Sequence, residues 1–364
     1  MEKNGVKAVV LAAGAGSRLA PLTGKIPKPL APIANLPTME HVLRLLKKHN
    51  ISEVSANLHH FPESIPNYFD KVRDLDMPIN YVVEESLSGD AGGVRACKCF
   101  LSQDTFVVVM GDVITDIDIS YLVAEHKRKG AIASIGLKQV EDVTQFGVVA
   151  LDDNGFITAF QEKPKAAEAI SNLASTGIYV LEPEVFNYFP ETGEFSFGKQ
   201  LFKKLLEIGA PLLGVEVDGY WSDIGTIPSY LKTSFDAIQG KVDLKLPQAV
   251  LTKESAAEMG IECDGKLLLG SGVVLGQGIK IKGNAIIGNN CMIGSGVTLD
   301  NSIIWNGSTI AKDSMMVRSI VAENCHLRSY SRYFDSTIVE LAQSNSNAVP
   351  RILGRAKSKT SLAS

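Results

Sequence analysis

Short runs of consecutive apolar residues alternate with longer amphipathic stretches over the first two thirds of the chain. This order is expected when mainly parallel strands are covered by helices on both faces. Val6–Leu11, Val54–Leu58, Ile79–Val83, Phe106–Met110, Ala131–Leu137 and Ile178–Leu181 are predicted strands. Met39–His49, Ser64–Asp74, Ile119–Lys129 and Phe197–Ile208 are predicted helices, the last two with apolar residues at helical spacing and basic residues near their ends. The fold class that follows is α/β with a mixed, mainly parallel sheet.

From Leu269 the period changes. Leu269, Leu275, Ile281, Ile287, Ile293 and Leu299 recur at every sixth position, with Gly following at 270, 276, 288 and 294. A hexad makes each side of a triangular coil one short strand, with the aliphatic residue inside and small or polar residues at the corners. The register then slips by one, to Ile304, Ile310 and Met316. The prediction is a left-handed β-helix over 263–330, with three to four coils. It is preceded by an α/β domain over 1–240 and a connector over 241–262 carrying charge and Pro247, and followed by a tail over 331–364. Ser344 to Asn347 and the basic stretch from Arg351 to Ser364 give that tail a loosely held, solvated character.

Composition narrows the function. With 364 residues, 45% hydrophobic and 21% charged, and a net charge of −4, the chain suits a globular protein of about two domains. It makes no global electrostatic case for nucleic acid or an anionic membrane. The run Val6 to Ala13 is too short to span a bilayer, and the expected location is cytoplasmic. Five cysteines without paired CxxC units argue for reduced, structural thiols, and the six histidines show no metal spacing with nearby carboxylates.

The strongest local signal follows the first predicted strand: Leu11-Ala12-Ala13-Gly14-Ala15-Gly16-Ser17-Arg18-Leu19, then Pro21-Leu22-Thr23 and Pro27-Lys28-Pro29-Leu30. Two glycines after a strand let backbone N–H groups approach a phosphate, and Arg18 and Lys28 add charge. A dinucleotide fingerprint fails because Leu19 stands where its third Gly belongs. A P-loop fails because Gly24-Lys25 is followed by Ile26.

Joined in this order, these motifs resemble those of the sugar-1-phosphate nucleotidylyltransferases, and the arrangement is most similar to the mannose-1-phosphate guanylyltransferase-like branch with a C-terminal hexapeptide β-helix. Later segments agree: Glu84 to Gly93 (EESLSGDAGG), Gly111-Asp112, Phe146-Gly147-Val148-Val149, Glu162-Lys163-Pro164, Ser175-Thr176-Gly177-Ile178-Tyr179 and Trp221-Ser222-Asp223-Ile224-Gly225-Thr226. The likeness covers about residues 6 to 235. It implies a Rossmann-like nucleotidyltransferase domain that transfers NMP from an NTP to a sugar 1-phosphate, releasing pyrophosphate.

By that resemblance Arg18, Lys28, Asp112 and Asp223 are catalytic, with Asp112 and Asp223 holding Mg²⁺. Leu11, Ala12, Ala13, Gly14, Ala15, Gly16, Ser17, Glu84, Gly89, Asp90, Ala91 and Gly92 bind the nucleotide. Gly147, Glu162, Lys163, Thr176 and Gly177 bind the sugar phosphate. The chemistry agrees with the absence of a Ser/His/Asp arrangement: a phosphomonoester has a second pKa of about 6, so the nucleophile is already an anion at neutral pH and needs no general base.

Three departures bear on substrate, the first being Ser88 where the family usually has Leu, inside the segment that reads the base. Asp90 stands where the family usually has Thr, and a carboxylate there could accept from guanine, which favours GTP. Phe146 stands where many relatives have Tyr, so a sugar-like cyclitol 1-phosphate joins the candidate acceptors. The alternatives are adenylyl, thymidylyl or uridylyl specificity, a non-catalytic subunit that senses NDP-sugar, and a second, acyltransfer activity in the β-helix, for which His326 is the only candidate base. The bland role of the β-helix is packing against a second copy, giving a homodimer or higher homo-oligomer. Trp305 is expected to pack rather than bind.

Overall fold

The computed structural model describes residues 5–340 and the backbone of 351–353. The described chain divides into two compact units. One holds the residues through Gly16, Ile26–Leu30 and Thr38–Asp223; the other holds Ser17–Lys25, Ala31–Pro37 and the chain from Ile224.

The first unit is built on β1 (Lys7–Leu11), β2 (Val54–Leu58), β3 (Ile79–Val83), β4 (Phe106–Met110), β5 (Val113–Thr115), β6 (Ala133–Gln139), β7 (Gly147–Leu151), β8 (Ile157–Glu162), β9 (Leu173–Leu181), β10 (Leu212–Glu216) and β11 (Trp221–Asp223). Nine of these form one mixed sheet in the order β8-β7-β9-β4-β1-β2-β3, with β6 beside β9 and β10 beside β6. Its centre, β4-β1-β2-β3, is parallel. Alternate residues explain why these strands read as continuous apolar runs: Ala8, Val10, Val107 and Val109 enter the core on one face, and Val9, Phe106 and Val108 enter the core on the other. A strand buried on both sides has no polar face to show.

Predicted and observed elements differ where polar residues or glycines interrupt the pattern. β9 starts five residues before its predicted Ile178, because Ser175-Thr176-Gly177 form a bulge inside the strand, with Gly177 at φ 74° and a break in pairing between Ser175 and Tyr179. The helix predicted to reach Asp74 stops at Phe69, where Lys71 and Val72 donate to the carbonyls of Tyr68 and Phe69 in tighter turns. The helix predicted from Phe197 opens instead with a π-turn, Phe197–Leu201, before the α-helix Phe202–Glu207. Strands β7, β8 and β10 and the short helix Asp90–Ala96 lie outside the predicted set.

The second unit is a β-helix of three parallel sheet faces. Four coils are complete: strands 262–275, 280–293, 298–310 and 315–327. Arg332–Phe334 and Thr337–Val339 then supply two sides of a fifth. The expectation of a tail from 331 is corrected by these strands, which continue the register Met316↔Tyr333 and Ile320↔Thr337. A bulky Tyr333 in place of an aliphatic residue hides the period there. The slip before Ile304 is a change of coil length from 18 residues (Leu267↔Ala285) to 17 (Ala285↔Ser302). Arg351–Leu353 pair antiparallel with Thr337–Val339, and the other positions of the expected tail beyond 340 lie outside the described residues.

By packing, the second compact unit takes in the chain from Ile224, and the expected connector contains a short strand and a helix. Helix Ile227–Ile238 belongs to the second unit because its fully buried Tyr230 donates to the Pro32 carbonyl at 2.5 Å and accepts from the Trp305 indole at 2.9 Å. Trp305 therefore packs, as expected. Val250–Leu251 pair with Leu267 and Leu268, and helix Lys253–Glu258 follows. No helix among the described residues is long and apolar enough to cross a membrane.

Candidate active site

Three neighbouring strands end level with one another: Leu11 of β1 lies opposite Met110 of β4 and Asn57 of β2. Chains leaving the carboxyl ends of parallel strands leave a crevice there, the usual place for a ligand in an open α/β sheet. A cavity of about 490 Å³ occupies it, within the size range of small-molecule sites. Leu11, Ala12, Ala13, Gly14, Lys28, Glu84, Gly89, Asp90 and Asp112 line it, all of them expected from sequence, together with Pro29, Asn57, Leu87, Met110 and Glu194, which were not.

Lys28 is buried in the turn Lys28–Leu30, and its ammonium reaches both acidic residues. It donates to Asp112 Oδ2 and lies 3.2 Å from Asp223 Oδ1. The acids converge because β5 and β11 pair with Val113 opposite Asp223, which sets Asp112 beside the end of β11. Gly111 permits the preceding turn: its N–H donates to the Leu11 carbonyl at 2.9 Å, and a Cβ there would sit 3.0 Å from that oxygen. Among the described residues no cluster of three or more His, Cys, Asp or Glu surrounds a possible metal position. Two carboxylates are nonetheless the donor set that suits Mg²⁺, which takes its other ligands from water and substrate phosphates.

Along the cavity wall, a buried polar chain ties two loops together. Asn57 Oδ1 accepts from the Ala12 N–H at 2.9 Å, and its Nδ2 donates to Glu84 Oε1 at 2.6 Å. Ser88 donates to Glu84 Oε2, and His59 Nδ1 lies 2.8 Å from the Glu84 carbonyl. Both Glu84 oxygens are thus engaged by protein, so this residue fixes the cavity wall through Asn57 and Ser88. An Asn in the middle of the otherwise small and apolar Val54–Leu58 run was the available signal for this network.

Asp90 opens the helix Asp90–Ala96. Its Oδ1 accepts from the N–H groups of Ala91 at 2.7 Å and Phe197 at 2.9 Å. That oxygen serves the backbone rather than facing a base. Ala91 and Gly92 are buried within the helix and do not line the cavity; Ala15 and Gly16 also lie outside its lining. Gly16 has φ 62°, which a side chain would strain. Ser17 and Arg18 belong to the turn Ser17–Leu19 of the second compact unit.

The residues expected at the sugar phosphate form a separate group on β7, β8 and β9. Gly147 and Glu162 are paired in register. A Cβ on Gly147 would come 3.1 Å from Glu162 Oε2, and one on Gly198 would come within 2.4 Å of it, so both positions leave room for the half-buried carboxylate by lacking a side chain. Burial raises the Glu162 pKa above its ordinary 4.5, with Lys163 opposing that effect and Asp90 adding to it. Lys163 has φ 47°, and its ammonium lies 3.9 Å from Glu162 Oε1. The Thr176 hydroxyl is spent on the Gly136 carbonyl at 2.8 Å, while the Thr176 carbonyl accepts from the Trp221 indole at 2.8 Å. Phe146 packs on Trp221 with ring centroids 4.9 Å apart.

Comparison with known proteins gives the family. The nucleotidyl transferase family model matches residues 7–240, and the GMPPB C-terminal domain model matches 263–344. The chain belongs to the sugar-1-phosphate nucleotidyltransferase family. It is 37% identical over 337 residues to a UTP–glucose-1-phosphate uridylyltransferase from Synechocystis, covering 87% of each chain. It is 31% identical over 282 residues to a mannose-1-phosphate guanylyltransferase from Mycobacterium tuberculosis, covering 77% of this chain and 78% of that one. Among solved structures, a putative glucose-1-phosphate thymidylyltransferase from Bacillus anthracis superposes with a TM-score of 0.59 at 28% identity, over 67% of this chain and 98% of that one. These relatives use different bases, so kinship fixes the reaction class of the nucleotidyltransferase and leaves its nucleotide open.

Proposed function

We propose that this nucleotidyltransferase carries out Mg²⁺-dependent transfer of UMP from UTP to a hexose 1-phosphate, giving a UDP-sugar and pyrophosphate. The observation that carries the reaction is the Lys28 ammonium meeting Asp112 and Asp223 beside a cavity at the strand ends. A phosphate oxygen of the sugar 1-phosphate forms the new bond to the α-phosphorus, the bond to the β-phosphate bridging oxygen breaks, and pyrophosphate departs with that electron pair. No proton has to move, because the attacking oxygen is already anionic.

Asp112 and Asp223 would hold Mg²⁺, whose charge offsets that of the phosphates when bound. Lys28 neutralises charge at the same place, and Arg18 holds the departing phosphates in the role that the family motif implies. Ala12 to Gly14 provide backbone against the nucleotide. Glu162 accepts from sugar hydroxyls, Lys163 faces the sugar phosphate, and the bulge at Thr176-Gly177 contributes backbone, since the Thr176 hydroxyl is occupied.

UTP is placed first because the uridylyltransferase relative matches across both domains at 37%, and because Asp90 Oδ1 is occupied by backbone, which weakens the case for guanine. GTP is the second reading, favoured by the GMPPB-type second domain and the guanylyltransferase relative. A hexose acceptor is preferred to a cyclitol because the uridylyltransferase and guanylyltransferase relatives are named for glucose 1-phosphate and mannose 1-phosphate. Pyrophosphate release is the test, crossing UTP, GTP, ATP, CTP and dTTP with glucose, mannose and inositol 1-phosphates, with Asp112→Ala as the blank. Release that requires UTP and a hexose 1-phosphate is expected. Release only with GTP reverses the base assignment, and nucleotide-sugar binding without any release leaves a sensing subunit in place of an enzyme.

A further inference from the structure

Two turns that are 107 residues apart are stitched together beside the cavity. The Phe195 N–H donates to the Ser88 carbonyl at 2.8 Å, and the Gly92 N–H donates to the Phe195 carbonyl at 3.0 Å. Gly89 is pressed so closely on this segment that a Cβ would lie 2.4 Å from the Phe195 oxygen. The Asp90 carboxylate closes the stitch, because one oxygen takes the N–H of Ala91 within its own helix and the N–H of Phe197 across the gap. Thr, usual at this position in the family, is shorter and carries no formal charge to strengthen such bonds.

The next residue beyond Phe197 carries the connection onward. Gly198 lies against Glu162 Oε2 and the Phe160 ring, the same two groups that press on Gly147. The segment Phe197–Leu201 is a π-turn, an arrangement often retained where geometry serves a site. A continuous line of contacts therefore runs from Gly89, in the cavity lining, through Asp90 and Phe197 to Glu162.

We propose that Asp90 is a positioning residue that clasps the nucleotide-side turn Ser88–Gly92 to the sugar-side turn Phe195–Gly198, so that filling the nucleotide subsite orders the acceptor subsite. This inference rests on the proposed assignment of the two subsites and adds a coupling between them. Asp90 does not choose the base in this scheme.

The test combines kinetics with hydrogen exchange. Asp90→Ala is expected to raise the KM for glucose 1-phosphate about tenfold, as suits loss of charge-assisted hydrogen bonds, while the ratio of kcat/KM for UTP to that for GTP stays constant. Asp90→Asn, which keeps an oxygen acceptor, is expected to recover most of the loss. In exchange experiments, adding UTP to the unaltered protein is expected to slow exchange over 195–201 as well as over 84–94, and Asp90→Ala is expected to confine protection to 84–94. A shifted UTP-to-GTP ratio in Asp90→Asn with acceptor KM unchanged would show base reading instead and overturn the clasp. So would UTP protection that never reaches 195–201, or a lowered melting temperature with both KM values intact. Absence of pyrophosphate release from the unaltered protein counts against the activity itself, and the exchange arm, which needs only UTP binding, still decides the coupling.

Discussion

Glycines in the two units answer to different neighbours. In the α/β unit, Gly198 and Gly147 leave room for the Glu162 carboxylate, a group that the reaction would use. In the β-helix, Gly270, Gly276, Gly288 and Gly294 leave room for backbone one coil further on; a Cβ on Gly288, for example, would lie 2.6 Å from the Asn306 nitrogen. Polar side chains divide in the same way. Ser302, Ser319 and Ser336 repeat one bond up the β-helix, each hydroxyl below accepting from the N–H of the serine above. Asn57 and Asp90 instead bond across 45 and 107 residues to loops that face the cavity. A periodic small or polar residue is explained by the repeat itself, whereas Asn57 and Asp90 answer to single distant loops beside the cavity.

The largest break in this comparison should come from the acids. Asp112→Ala and Asp223→Ala are each expected to lower turnover about 10³-fold with a smaller change in nucleotide affinity, because they act on charge at the reacting phosphates. Chelation with EDTA should do the same to the unaltered protein, and near-normal pyrophosphate release in both variants would sink the metal assignment.

Next comes Asn57→Ala, which strands the Ala12 N–H and one Glu84 oxygen in a buried place. A loss of about 1–3 kcal/mol in denaturant unfolding is expected, together with a higher KM for the nucleotide. Its counterpart in the β-helix, Gly288→Ala, forces a Cβ against fixed backbone and should cost about 1–3 kcal/mol as overpacking does, without altering the kinetic constants of the folded enzyme. Equal kinetic damage from both would erase the distinction between stitch and repeat.

Smaller effects should appear with pH. Burial holds Glu162 protonated to a higher pH than an ordinary carboxyl of pKa 4.5. The acid limb of kcat/KM for the acceptor should therefore lie above that value and vanish in Glu162→Gln. The least effect is expected at Glu182, whose pKa is lowered first by its hydrogen bond with the buried His126 and then by Thr105. A lowered folded-state pKa stabilises the fold above the unfolded value, near 4.5, and that contribution fades as the pH falls below it. Urea midpoints of the parent and Glu182→Gln should accordingly converge in acid and separate near neutrality.

The sequence alone determined the α/β class, the hexad β-helix, and four central strands to within a residue. It did so because burial on both faces writes an unbroken apolar run and a coil writes a strict period. It also determined the reaction class, since Gly14-Ala15-Gly16-Ser17-Arg18, Pro27-Lys28-Pro29 and the two acids are local motifs. Only the tertiary structure decided that Lys28 lies between Asp112 and Asp223, that the Glu84 oxygens are spent on Asn57 and Ser88, and that an Asp90 oxygen holds the backbone at Phe197. Each of these depends on which distant loop meets a side chain, and hydrogen-bond partners chosen across 84, 107 or 195 residues leave no periodicity in the chain to read.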